Sequence, residues 1–261
     1  MTNFREITHA EFFHKSWNYA PNFLHCRHDA LCSLGLSELR QAMTGMPIAF
    51  ICTDGEYSAY GVQGVAAGVN LFVRADGKWI CSYVPLSYRV FPFCLQNSKS
   101  EKGKQALCIY TDSNLLFDGD SGEQFFGEDK KLSPIVQEIE KYLFVEESRR
   151  KASSKVYRTI SEHNLLIPWE LKVDHESGAQ SLGGLSRIDE DAFNKLSTDA
   201  YAELRLAGAI PVIYCQIFSM AHLSNMALQA QQKLNSNFPG QADELNFNID
   251  SDDSNLSFNN I

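Results

Sequence analysis

Three groups of residues in this chain combine side-chain type and spacing in ways that could carry chemistry. The first is His25-Cys26-x-His28 with Cys32, four possible metal ligands within eight residues. Zinc sites pair Cys-x-x-Cys units, or histidines a few residues apart, so that two side chains converge on one tetrahedral ion; this spacing does neither. Packing or surface exposure is the better account. The second group is Arg187 followed by Asp189-Glu190-Asp191. Neighbouring carboxylates could act as acid and base, but these stand where a helix should begin, and acids there satisfy free N–H groups and the helix dipole. Capping is the preferred reading, and Arg187 stands either as an ion-pair partner or as a ligand anchor. The third group is Tyr83–Phe93, in which Arg89 lies among Tyr83, Tyr88, Phe91 and Phe93 while Pro85 and Pro92 restrict the backbone. Aromatic residues around an arginine are the material of partner-binding hot spots. The alternative is that the aromatics are core and Arg89 pairs with a buried acid. The candidate binding residues are therefore Tyr83, Tyr88, Arg89, Phe91 and Phe93, with Arg187 and Asp189 beside them.

Other chemistry finds no support. The chain holds no Gly-x-Ser-x-Gly elbow, Walker loop or His-Glu-x-x-His helix. Gly61, Gly64 and Gly68 have the wrong spacing for a dinucleotide turn and read as a flexible connector. No catalytic residue, metal site or cofactor is assigned. Nucleic-acid binding needs a basic stripe, and the best cluster, Arg149-Arg150-Lys151, follows Glu146 and Glu147 at helical spacing, as on a solvated helix face. The formal net charge is −9, of which the segment after Lys233 supplies five acids and no base, leaving a body near −4. Seven scattered cysteines, mostly inside apolar runs, read as buried thiols in a reducing compartment. The N-terminus has no apolar stretch resembling a signal-peptide core, so the expected location is the cytoplasm, export by a non-Sec route aside. Ala209–Leu223, the most apolar segment, is about fifteen residues long where a bilayer span needs about twenty, so a buried core helix is expected.

The elements that must position these groups follow from the pattern. With 261 residues, 44% of them hydrophobic and 11% aromatic, the chain can bury a sizeable core. Asp54-Gly55 and Asp76-Gly77 each separate two apolar runs, a hairpin signal, because both central residues of a type I′ turn need positive φ. Two hairpins in succession predict an antiparallel meander in the N-terminal half. Its Lys78–Val84 strand is apolar on both faces around Trp79 and should be central. A further strand is expected at Gln105–Tyr110. Ser133-Pro134 predicts a helix start, followed by a long amphipathic helix toward Ile160, with a bend near Ala152-Ser153-Ser154. Trp169, Leu171 and Val173 alternate with polar residues, predicting a strand that pairs with Ser181–Ile188 across a bulge at Gly183-Gly184. Helices are expected at Glu190–Leu196, at Thr198–Ala207 ended by Gly208, and from Pro211 onward. The fold class is thus α+β: an antiparallel sheet in the N-terminal half, a long helix, a small β hairpin and a helical C-terminal part. A single domain over 1–235, with lobes at 1–127 and 128–235, would precede an acidic, disordered tail at 236–261.

Two stretches carry a family resemblance. Asn70-Leu71-Phe72-Val73, Trp79, Ser82-Tyr83-Val84-Pro85, Arg89 and Phe91-Pro92-Phe93 form one, and Gly184-Leu185-Ser186-Arg187-Ile188-Asp189-Glu190 forms the other. In these the chain resembles the bacterial SapC family, named for proteins linked to surface layers, over most of Phe23–Leu223. Arg74-Ala75 and Val90 depart from charged positions in that family, which weakens any shared charged site. The family has no established biochemical activity. Its members tend to be encoded near cupin-like oxygenases, flavin-dependent halogenases and outer-membrane receptors. The arginine among aromatics at Tyr83–Phe93 and the lack of a recognised catalytic constellation favour a non-enzymatic protein that binds a peptide or protein partner, and the setting that the resemblance implies suits an accessory role, the partner being a modification enzyme or receptor-related protein. The rival readings are an enzyme of unrecognised type with a pocket near Arg89 and Asp189, and a surface-layer component, which the missing export signal opposes. The lack of a spanning segment separates the chain from the membrane permease that shares the name.

Overall fold

The computed structural model describes residues 3–99, 101–173 and 180–237. The first third carries β1 (Phe4–Glu6), α1 (His9–Phe12), β2 (Lys15–Trp17), β3 (Leu31–Ser33), α2 (Leu39–Ala42), β4 (Ile48–Thr53) and β5 (Glu56–Val62). The middle adds α3 (Leu86–Arg89), β6 (Phe93–Asn97), β7 (Gln105–Tyr110), β8 (Leu116–Asp118), β9 (Glu123–Gln124) and α4 (Pro134–Glu162). The last part holds β10 (Leu166–Val173), β11 (Gln180–Ile188), α5 (Glu190–Asn194), α6 (Thr198–Ala207), α7 (Ile210–Ser219) and α8 (Leu223–Asn237). The protein is α+β, with three sheets ordered β10-β11-β4-β5-β3, β1-β7-β6 and β8-β2-β9, all of their pairings antiparallel.

The Asp54-Gly55 hairpin forms as expected: β4 and β5 pair from Ile48↔Gly61 to Thr53↔Glu56, with positive φ at both turn residues. The hairpin β10–β11 also forms, and its register slips where Gly183 and Gly184 oppose one residue between Trp169 and Leu171. It is not a separate small unit. Ser186 pairs with Phe50, so strands from both halves of the chain share the five-stranded sheet. The second expected hairpin is a correction. Around Asp76-Gly77 only a single bridge, Val73↔Trp79, is present, and neither flank is a strand. The Trp79 indole N–H donates to the Tyr83 carbonyl at 2.9 Å. In an extended strand that carbonyl would lie about 13 Å away, so the chain curls back on itself here. Trp79 is buried as expected, among the rings of Phe23, Phe72 and Tyr88, but in a loop, with Ile80 exposed.

Helix α4 starts at Ser133-Pro134 and runs unbroken for 29 residues. Two apolar clusters lie along it. Ile135, Ile139 and Leu143 near its start pack on Phe12, Trp17, Phe93, Leu107, Ile109 and Phe125. Val156, Tyr157 and Ile160 near its end join the larger core of the five-stranded sheet and C-terminal helices. The long helix expected from Pro211 is divided: α7 passes through a 3-10 turn at Met220–His222 into α8. As expected of a core helix, α7 buries Val212 and Ile213 in the larger core, but only on one face, since it exposes Tyr214 and Phe218. Among the described residues, no single helix is long and apolar enough to cross a membrane. The expected disordered tail falls, from residue 238 on, outside the described residues.

Candidate functional site

The Tyr83–Phe93 segment lies between the two cores, and its side chains divide accordingly. Phe93 is buried in the smaller core, edge-on to Trp17 at 4.6 Å and 90°. Phe91 is half-buried and stacked on His25, with ring centres 3.9 Å apart and planes 4° apart, just before a cis peptide to Pro92. Tyr88 is buried, its hydroxyl 2.9 Å from Gln63 Oε1 and 3.1 Å from Asp29 Oδ2. Asn70 extends that network, donating to Gln63 Oε1 at 3.1 Å and to the Cys26 carbonyl at 3.0 Å while accepting from Phe72 N at 2.9 Å. Burial, reinforced by the surrounding thiols and Asp29, pushes the Tyr88 phenol up from its ordinary value.

Tyr83 reaches the opposite way, to an acid that the sequence did not single out. Glu38 is 6% exposed, and its carboxylate accepts three hydrogen bonds: from Gly35 N at 2.8 Å, Tyr83 Oη at 2.7 Å and Leu86 N at 2.8 Å. A second interior acid, Glu146 of α4, is 8% exposed, accepts from Ser37 Oγ at 2.7 Å and pairs with Arg149. A Cβ on Gly35 would stand 3.0 Å from Glu146 Oε2 and 3.2 Å from Glu38 Oε2, so both carboxylates close on this glycine. Three well-made hydrogen bonds offset much of the cost of placing Glu38 away from water. Burial and the bond to Glu38 raise the Tyr83 phenol, which keeps it a donor.

Arg89 completes the chain outward. Its guanidinium lies 5.7 Å from the centre of the Tyr83 ring and donates to Tyr83 Oη at 3.3 Å and Tyr142 Oη at 3.4 Å. The side chain is exposed, and no carboxylate among the described residues lies within ion-pair distance of it. A directional series thus runs from buried carboxylate through phenol to solvent-facing guanidinium. The series fixes the cation's position without neutralising it, leaving N–H donors for an external acceptor.

The other candidates are placed elsewhere. Asp189 is the N-cap of α5, accepting from Ala192 N at 3.0 Å, while its own N–H bonds the Leu165 carbonyl at 2.9 Å. Arg187 is half-buried and donates to the Ile188 carbonyl at 3.2 Å. Leu165 follows the C-terminus of α4 whereas Arg89 meets Tyr142, about 30 Å of helix away, so Arg89 and Asp189 do not line one pocket. His28 bonds the Gly68 carbonyl at 3.0 Å, and Cys26 and Cys32 are buried; among the described residues no three His, Cys, Asp or Glu side chains converge as metal ligands. All seven cysteines are free thiols.

A family model described as SapC matches residues 7–226. The chain belongs to the SapC family. No curated protein and no solved structure matches. The residues that carry the SapC resemblance are mostly interior: Asn70, Leu71, Phe72, Val73, Trp79, Tyr83 and Phe93 are buried, and Arg89 is their exposed outlet. Glu38, Gln63 and Tyr142 have no comparable sequence signal, because each is a polar or amphipathic residue whose partner is 25 to 53 positions away.

Proposed function

We propose that this SapC protein is a non-enzymatic accessory protein that binds a peptide or protein partner, with Arg89 as the anchor. One observation carries the reading: an exposed guanidinium, fixed by Tyr83 and Tyr142, has no acid beside it among the described residues. A side-chain or C-terminal carboxylate of the partner is the acceptor that fits a planar fork of N–H donors. Next to it α4 exposes Tyr142 and Val145, one turn apart, which offer apolar contact to the residue beside that carboxylate. Partner classes suited to the family setting are a modification enzyme or a receptor-related protein, met in the cytoplasm.

An enzyme of unrecognised type is the second reading, favoured by the Glu38–Tyr83–Arg89 series, since a phenol held between carboxylate and guanidinium can also polarise a bound substrate. Affinity purification of the full chain and its Arg89→Ala variant from the native cell, followed by mass spectrometry, separates the two. A binder loses its partner at unchanged melting temperature, by about 2 kcal/mol or some thirtyfold in affinity. A partner held at wild-type affinity by the variant rejects Arg89 as the anchor.

A further inference from the structure

Strands β6 and β7 bring two of the protein's thiols face to face. Their register sets Cys94 directly opposite Cys108, whereas the other strand cysteines, Cys32 and Cys52, stand opposite Gly61 and Tyr57. The bonds at the two ends of the ladder fix what kind of pair this is. Tyr110 N donates to the Pro92 carbonyl at 2.9 Å and Ser98 N to the Lys104 carbonyl at 2.8 Å, so 92/110 and 98/104 are hydrogen-bonded pairs, and alternation makes 94/108 another. Cα atoms in such a pair lie about 5.5 Å apart, within the span of a disulfide. Their Cβ atoms stand toward the upper end of about 4.5–5.5 Å, wider than the roughly 3.5–4.5 Å of a relaxed disulfide, so closing the bond must draw the strands together. A bond closed against that resistance is easily reduced.

The two thiols differ in access. Both lie on the face of the sheet opposite Phe93, Leu107 and Ile109, which fill the smaller core. Cys94 is half-buried on β6, an edge strand, while Cys108 is 4% exposed on the central strand beside Glu6 of β1. Burial, with Cys108 adding to it, pushes the Cys94 thiol up to about 12, and burial followed by Glu6 raises Cys108. Both therefore rest as thiols, and an oxidant reaches Cys94 first. The sulfurs are held weakly, by Gln96 Nε2 at 4.0 Å from Cys94 and by the Ala106 carbonyl at 3.6 Å from Cys108.

We infer that Cys94 and Cys108 form a reversible redox site, at which a small disulfide such as oxidised glutathione closes β6 to β7. First the Cys94 thiolate attacks one sulfur of oxidised glutathione, whose S–S bond breaks, and the departing glutathione thiolate takes up the proton that Cys94 gave up. Then the Cys108 thiolate attacks the Cys94 sulfur of the mixed disulfide and expels the second glutathione, protonated in the same way. The protein loses two hydrogens and two electrons, and one glutathione disulfide becomes two glutathiones. Strand β6 continues from Phe91-Pro92-Phe93, so closure clamps the end of the aromatic segment to β7.

The test incubates the full-length protein with oxidised glutathione at about pH 8, where thiolate is less scarce, then alkylates without reduction and digests with trypsin. The fragment Val90–Lys99 should be joined to Gln105–Lys130, with five of the seven cysteines still alkylated. Excess reduced glutathione should restore all seven. Cys108→Ser should stop at the mixed disulfide, keeping one glutathione on Cys94, and Cys94→Ser should give no joined fragment. Amide exchange over residues 93–97 and 105–110 should be slower in the closed wild type than in the reduced one. The joined fragment in the wild type decides, whether or not either serine variant folds. Fragments that stay separate in protein shown by circular dichroism to be folded overturn the inference. So does a joined pair that excess glutathione fails to reopen, or a Cys94 linked to another cysteine in preference to Cys108.

Discussion

The Tyr83–Arg89 segment and helix α7 place polar groups in the same way and present opposite surfaces. Each buries a side chain that ties together distant backbone: Glu38 receives Gly35 N, Tyr83 Oη and Leu86 N, while Gln216 joins Ile48 to Ile188. Outside, the first shows a guanidinium without a carboxylate and the second shows Tyr214 and Phe218. The interior polar groups therefore set where each outer surface stands, and the outer groups hold what the fold leaves unused. Stability and surface character should separate cleanly in both regions.

The largest expected effect is at Glu38. Glu38→Ala would leave two buried donors and one part-buried donor without an acceptor and should cost about 3–5 kcal/mol, the scale of breaking a buried charged network. A melting temperature within two degrees of wild type would mean that Glu38 is not a structural support. Next, Gln216→Ala leaves the Ile48 carbonyl and Ile188 N–H unpaired at the junction of β4, β11 and α7, for an expected loss of about 2–3 kcal/mol in denaturant unfolding. A loss as large as at Glu38 would mean that a charged and a neutral support are equivalent.

Asp189→Ala removes only the cap of a five-residue helix, so about 1 kcal/mol is expected. Asp189→Asn, a comparable cap, should recover most of it; failure of that rescue would return Asp189 to the list of functional residues. Smallest is Arg89→Ala. Its hydrogen bonds are to hydroxyls at the surface, and the change should shift stability by under about 1 kcal/mol. A loss of 3 kcal/mol or more would show Arg89 to be part of the interior network and would remove the distinction between support and outlet.

Much of the fold was legible in the sequence wherever the pattern was local. Asp54-Gly55 specified β4–β5, Ser133-Pro134 started α4, Gly208 ended α6, and the alternation at Trp169, Leu171 and Val173 marked β10 with its bulged partner. The apolar run at Lys78–Val84 misled, because alternation cannot register an indole that bonds a carbonyl four residues on. The short strands β1, β2, β3, β8 and β9 left no usable signal, each being stabilised by a partner brought from elsewhere in the chain.

For the candidate site, residue types alone drew attention to Arg89 among aromatics, but not to what those aromatics do. Tyr83 and Tyr88 are six residues and one residue from Arg89 in sequence and equally aromatic, yet one bonds Glu38, the other bonds Asp29 and Gln63, and only Arg89 is left to solvent. Amino-acid sequence determined the family, the α+β class and the uncharged stretch from Leu206 to Gln232. Tertiary structure decided which side of each segment meets water, because that depends on hydrogen-bond partners 45 to 168 residues away, as with Tyr83 and Glu38 or Gln216 and Ile48.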